Sequence, residues 1–202
     1  MVITDRAQTH GRPLVSVVES ALEGGARLVQ LREKDLEGGA LLALTRELRA
    51  LTKKFAAELW INDRLDVALA AAADGVVLPG NSFASADARR LLGSDRGVGR
   101  STHSAAEVER AAAEGLDLAL FGPVHATPSK AAQGPPQGLE ALQRAARASI
   151  PLYAVGGIDA ANAAAAIDAG AWGVAVIREI MAAADPAAAT RALLAALSGR
   201  GR

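Results

Sequence analysis

Eight short apolar runs, each ending in small, polar or charged residues, set the strongest limit on how this chain folds. They are Met1–Asp5, Leu28–Lys34, Leu59–Asp63, Gly75–Pro79, Gly97–His103, Leu118–Pro123, Pro151–Gly157 and Gly173–Arg178. Parallel strands covered on both faces read as continuous apolar segments of this kind. Helical stretches fill the intervals: Leu14–Leu22, Gly38–Phe55, Leu65–Ala73, Ser85–Leu92, Ala105–Glu114, Leu139–Arg147, Asp159–Ala169 and Pro186–Leu197. Gly38–Phe55 carries a leucine stripe at Leu41, Leu42, Leu44, Leu48 and Leu51, one apolar face of a helix. Ser85, Ser104 and Asp159 are expected N-caps, and Gly115 and Gly170 expected helix stops. Eight such units in 202 residues predict a small single-domain α/β (β/α)₈ TIM barrel spanning 1–202. An open doubly wound sheet alternates in the same way. The count of eight, and the lack of a Gly-x-Gly-x-x-Gly first turn, favour the barrel.

Composition narrows the function classes. Basic and acidic residues balance at 22 each, so net charge favours neither a nucleic-acid partner nor an anionic membrane. The absence of cysteine excludes disulfides, thiolate catalysis and zinc-thiolate sites. No apolar run approaches the roughly 18 residues of a membrane helix. Val2-Ile3-Thr4-Asp5 opens directly on a strand pattern rather than a basic leader. The expectation is a soluble, cytoplasmic protein.

A barrel places its chemistry at the carboxyl ends of its strands. Gly156-Gly157 follow the seventh run, and Ile177-Arg178 close the eighth. Loops seven and eight commonly hold phosphate in such barrels, and glycine lets the backbone approach an anion. The alternatives are a tight turn for the glycines and a surface ion pair for Arg178. Gln30, Arg32 and Lys34 alternate along the second run and so share one face at the barrel mouth. Two cations there suit a phosphate or pyrophosphate; the alternative is an ion pair with Glu33 or Asp63. Asn62-Asp63 end the third run, and Asp63 can bind magnesium, pair with Arg32 or act as acid or base. After the sixth run come the imidazole of His125, the hydroxyl of Thr127 and the ammonium of Lys130. His125 there is either a proton shuttle or a solvated loop residue. Ser101 and His103 form a further polar pair, with His103 read as sitting near a helix start. The irregular stretch Ala126–Gly138 is expected to be a lid over the mouth.

Together these segments resemble the thiamin phosphate synthase/TenI superfamily. The matching residues are Gln30–Lys34, Ile61–Ala70, Gly99–Ser104, Phe121–Lys130 and Ala154–Ile158, in order across nearly the whole chain. The resemblance implies a (β/α)₈ barrel of thiamin biosynthesis and a homo-oligomer. Synthases of the family join hydroxymethylpyrimidine pyrophosphate to a thiazole phosphate with magnesium, releasing pyrophosphate. TenI-type relatives aromatise a thiazole phosphate carboxylate by moving a proton. Where the synthase pattern resembles G-x-H-x-G-Q-x-D, this chain has Val77, Gly80 and Ser82 in place of His, Gln and Asp. That departure points to the TenI branch: a thiazole tautomerase needing no metal or other cofactor. In that reading His125 is the proton carrier and thiazole phosphate the ligand. A synthase using magnesium at Asp63, or a non-catalytic binder of thiazole or thiamin phosphate, is the alternative. The family proton carrier falls at Pro123, two positions before His125; along an extended chain both would face the same way.

Overall fold

The apolar runs become strands because each is enclosed between the barrel interior and a coat of helices. The computed structural model describes residues 1–127 and 135–199, so Lys130 and most of the expected lid lie outside the described residues. The strands are β1 (Val2–Ile3), β2 (Leu28–Leu31), β3 (Glu58–Asn62), β4 (Gly75–Leu78), β5 (Gly97–Thr102), β6 (Leu118–Phe121), β7 (Leu152–Val155) and β8 (Gly173–Ala175). They form one parallel sheet in the order β1 to β8. A bridge between Val2 and Val176 joins its ends, with Ile3 N–H donating to Val176 O at 2.9 Å. Sequential order and this closure define the barrel and remove the doubly wound alternative.

The helices among the described residues are α1 (Leu14–Glu23), α2 (Gly38–Lys54), α3 (Leu65–Ala70), α4 (Ser85–Leu92), α5 (Ala105–Ala113), α6 (Gly138–Ala145), α7 (Ala163–Asp168), α8 (Arg178–Met181) and α9 (Pro186–Leu197). A 3-10 turn, Arg6–Gln8, follows β1. Ser104 caps α5 by accepting from Glu107 N–H. Ser85 does not cap α4: Ala84 holds that position, and the Ser85 hydroxyl donates to the Glu114 carboxylate instead. The helix expected from Asp159 starts only at Ala163. Asp159 Oδ1 accepts from Ala161 and Asn162 N–H at 2.9 and 3.0 Å, making a turn ahead of the helix. At α9, Asp185 is the cap and Pro186 fills the first turn, where its missing N–H costs nothing.

Between sheet and helices lies the main apolar core, including Leu22, Leu48, Leu59, Ile61, Phe121 and Met181. A second cluster fills the barrel itself: Ile3, Trp60, Val77, Leu118, Leu120 and Ala175. The Trp60 indole needs the room left by glycines opening β4 and β5. A Cβ on Gly75 or Gly97 would lie 2.6 or 2.3 Å from its ring atoms. Two aspartates tie helices to strands by the same device. Asp74 accepts from Arg49 of α2 and from Leu59 N–H, both at 2.7 Å. Asp117 accepts from Arg89 of α4 at 2.6 Å and from Val98 N–H at 2.7 Å. No helix among the described residues is long and apolar enough to cross a membrane.

Candidate active site

Where the strands end, their last side chains and following loops enclose a cavity of about 590 Å³. Its wall includes Gln30, Arg32, Lys34, Asn62, Ser101, Thr127, Gly156, Gly157, Ile177 and Arg178. Gln30 is buried, and its Nε2 faces Asn62 Oδ1 at 3.4 Å. The Arg32 backbone is anchored by its N–H to the buried Thr4 hydroxyl at 2.9 Å. Glu33 points away from the cavity: both its oxygens accept from Arg6 N–H at 3.2 Å. This partnership leaves Arg32 and Lys34 outside any ion pair with Glu33.

Gly156 and Gly157 have φ of 96° and 62°, a region that favours glycine. They also allow a close approach. A Cβ on Gly156 would lie 2.6 Å from Pro123, and one on Gly157 2.7 Å from Ala126 O. The N–H groups of Gly157 and Ile158 donate to no backbone carbonyl among the described residues. Beyond them Asn162 Nδ2 holds Gly157 O at 2.8 Å. Burial, and after it the charge of Asp159, pushes the Glu179 carboxyl above its ordinary value.

Two expected site residues stand apart. Asp63 does not line the cavity; its backbone has φ of 68°, and its carboxylate accepts the Ser82 hydroxyl. His125 also lies off the wall, with its Nε2 buried and without a partner among the described residues. The chain bends at His125, where its N–H donates to Gly156 O at 3.0 Å. The bend ends the alternation on which the expected placement of His125 depends. His103 is the histidine on the wall, with Nδ1 2.6 Å from Gly122 O. A carbonyl only accepts, so Nδ1 carries the proton in that bond. Asp5 and Asn81, both at strand ends, also reach the wall, and Gln8, Asp159 and Glu179 reach it without having been expected there. Position after a strand end was the available signal for Asp5, Asn81 and Asp159.

Among the described residues no cluster of three or more His, Asp or Glu side chains could hold a metal ion. The Asp63 carboxylate with the Ser82 hydroxyl is a small oxygen donor set. Magnesium is commonly held by one or two carboxylates, waters and substrate phosphates. These oxygens are of the kind magnesium takes, although neither residue lines the cavity.

A (β/α)₈ barrel with one polar cavity at the carboxyl ends of its strands is the architecture of the barrel enzymes. A profile described as thiamine monophosphate synthase matches residues 1–180, and the chain belongs to that family. It is 52% identical over 202 residues to a putative thiamine-phosphate synthase of Geobacter sulfurreducens, covering all of this chain and 95% of the relative. A thiamine-phosphate synthase of Thermosynechococcus vestitus is 48% identical over 92% of this chain, which spans only 53% of that longer protein. The solved thiamine phosphate pyrophosphorylase of Pyrococcus furiosus superposes with a TM-score of 0.88 at 35% identity, covering 97% of this chain and 93% of its own.

These likenesses overturn the tautomerase expectation: the relatives carry the synthase name. The departures that suggested a tautomerase are less telling in three dimensions. Val77 is fully buried in the barrel interior and does not line the cavity. Ser82 still bonds to Asp63. His125, the expected proton carrier of that reaction, lies off the wall.

Proposed function

We propose that this chain is a thiamin phosphate synthase, joining hydroxymethylpyrimidine pyrophosphate to thiazole phosphate and releasing pyrophosphate. One observation carries the reading: a single cavity has two separate stretches of wall suited to anions. Arg32 and Lys34 form one after β2; Gly156, Gly157 and Arg178 form the other after β7 and β8. Joining two phosphorylated substrates needs both stretches, whereas rearranging one needs a single anchor. The pyrimidine methylene carbon loses pyrophosphate and gains the thiazole nitrogen. Arg32 and Lys34 bind the departing pyrophosphate and offset its charge. Glycine amides and Arg178 hold the thiazole phosphate so that its ring nitrogen faces the methylene. Gln30 and Asn62, fixed by the strands, orient the pyrimidine between them. Asp63 and Ser82 would hold magnesium, which when bound supplies further charge neutralisation on the pyrophosphate.

The test is to supply both substrates and magnesium to purified protein and measure thiamin phosphate and pyrophosphate. Equal amounts of the two, dependent on both substrates, are expected. Tight thiazole phosphate binding without either product would refute the synthase reading.

A further inference from the structure

The phosphate stretch of the wall depends on an element unable to hold itself in place. α8 is a single turn of four residues, and nucleating one turn is unfavourable on its own. Its Ile180 and Met181 are fully buried, which fixes one side of the turn. Ile177, Arg178 and Glu179, at its start, line the cavity.

The far end of α8 is held by a residue from the opposite end of the sequence. Arg12 follows a tight turn, Thr9-His10-Gly11-Arg12, in which His10 and Gly11 have φ of 54° and 80°. The buried Thr9 hydroxyl donates to Arg12 O at 2.8 Å and closes that turn. The Arg12 guanidinium then donates to three main-chain carbonyls: Thr9 O at 2.9 Å, Ala183 O at 2.7 Å and Met181 O at 2.8 Å. Met181 and Ala183 lie at the carboxyl end of α8, where helix carbonyls lack partners and a cation is favoured. The fixed fork of a guanidinium can bridge two such carbonyls and the turn at once; an ammonium cannot.

We propose that Arg12 is a positioning residue for thiazole phosphate binding. It holds α8 in place and thereby sets Ile177 and Arg178 against the substrate phosphate. The inference rests on the phosphate reading of that wall. Arg12 does not line the cavity, so its effect on binding passes through α8.

The experiment compares wild type, Arg12→Met and Arg12→Lys in steady-state synthesis of thiamin phosphate. Misplacement of a binding group by about 1 Å can cost up to ~100-fold. On that scale Arg12→Met is expected to raise KM for thiazole phosphate about tenfold. KM for pyrimidine pyrophosphate should stay within about twofold, and Arg12→Lys should restore part of the loss. In an Arg178→Ala background Arg12→Met should have a smaller effect, because both act on one contact. An unchanged thiazole phosphate KM, or equal rises in both KM values, would overturn the proposal. Should the wild type make no thiamin phosphate, the synthase reading fails, yet Arg12 is still tested. Calorimetric titration with thiazole phosphate and hydrogen exchange over residues 177–183 are then compared in wild type and Arg12→Met. Weaker binding with faster exchange supports the role of Arg12; unchanged exchange overturns it.

Discussion

Replacing Gly97 by alanine probes the barrel interior directly. The added Cβ would sit 2.3 Å from Trp60 Cη2 and 2.4 Å from Cζ2, far inside contact distance. The ring cannot easily retreat. Trp60 is 5% exposed, and its Nε1 donates to Glu58 Oε2 at 2.8 Å. Forcing one extra carbon into a packed core costs about 1–3 kcal/mol. We expect Gly97→Ala to lose ~2 kcal/mol, which in a chain of this size lowers Tm by roughly 4–8 °C. Trp60→Leu should itself cost ~3 kcal/mol through the void it leaves. The void accepts the new methyl, so Gly97→Ala in the Trp60→Leu background should be nearly neutral. The coupling between the two changes should exceed ~1 kcal/mol. Urea unfolding followed by circular dichroism on the four proteins measures it. A Gly97→Ala loss under ~0.5 kcal/mol, or two losses that simply add, would refute the argument that Trp60 requires glycine there.

Arg32→Gln should raise KM for pyrimidine pyrophosphate on the order of 10- to 100-fold, the worth of one charged hydrogen bond, as steady-state kinetics will read. Ser82→Asp places a second carboxylate beside Asp63, so the magnesium concentration for half-maximal rate should fall, on the order of tenfold. No change would separate position 82 from the metal. Glu179 gives a signed pH effect. Its carboxyl is raised in the folded chain, so the folded state binds a proton more tightly than the unfolded state. Stability is therefore favoured at low pH and falls as pH rises above the unfolded value of 4.5. Glu179→Gln should flatten that part of a plot of unfolding free energy against pH; an unaltered slope would contradict the assignment.

The barrel was legible because each strand is an apolar run bounded by polar residues, and eight of them admit few arrangements. The cavity wall was largely legible for the same reason, since Gln30, Asn62, Ser101 and Gly156 each sit where a strand ends. α8 escaped notice because four residues show no helical period and follow an apolar strand pattern without a break. His125 was misplaced because alternation holds only in extended chain, and the bend there depends on a contact with Gly156 thirty-one positions later. His103 does sit at a helix start, directly before the Ser104 cap, and the same residue also lines the cavity. Val77 misled because a strand residue can face the barrel interior below the cavity, a level that a linear motif does not record.

The closing bridge between Val2 and Val176 has a consequence for the history of each molecule. Met1 N donates to Val174 O across 173 positions, so the first strand waits for nearly the whole chain before it finds its second neighbour. Contacts so distant in sequence form slowly, because a long loop must be closed before they contribute. Until then Arg178 has no fixed relation to Arg32, and the two stretches of cavity wall are not held together. On the proposed reading, the two substrates bound side by side would favour the finished ring over its precursors and draw the last closure forward by mass action. The metabolite pool would in this way act as an inspector of assembly, retaining complete barrels and ignoring open ones.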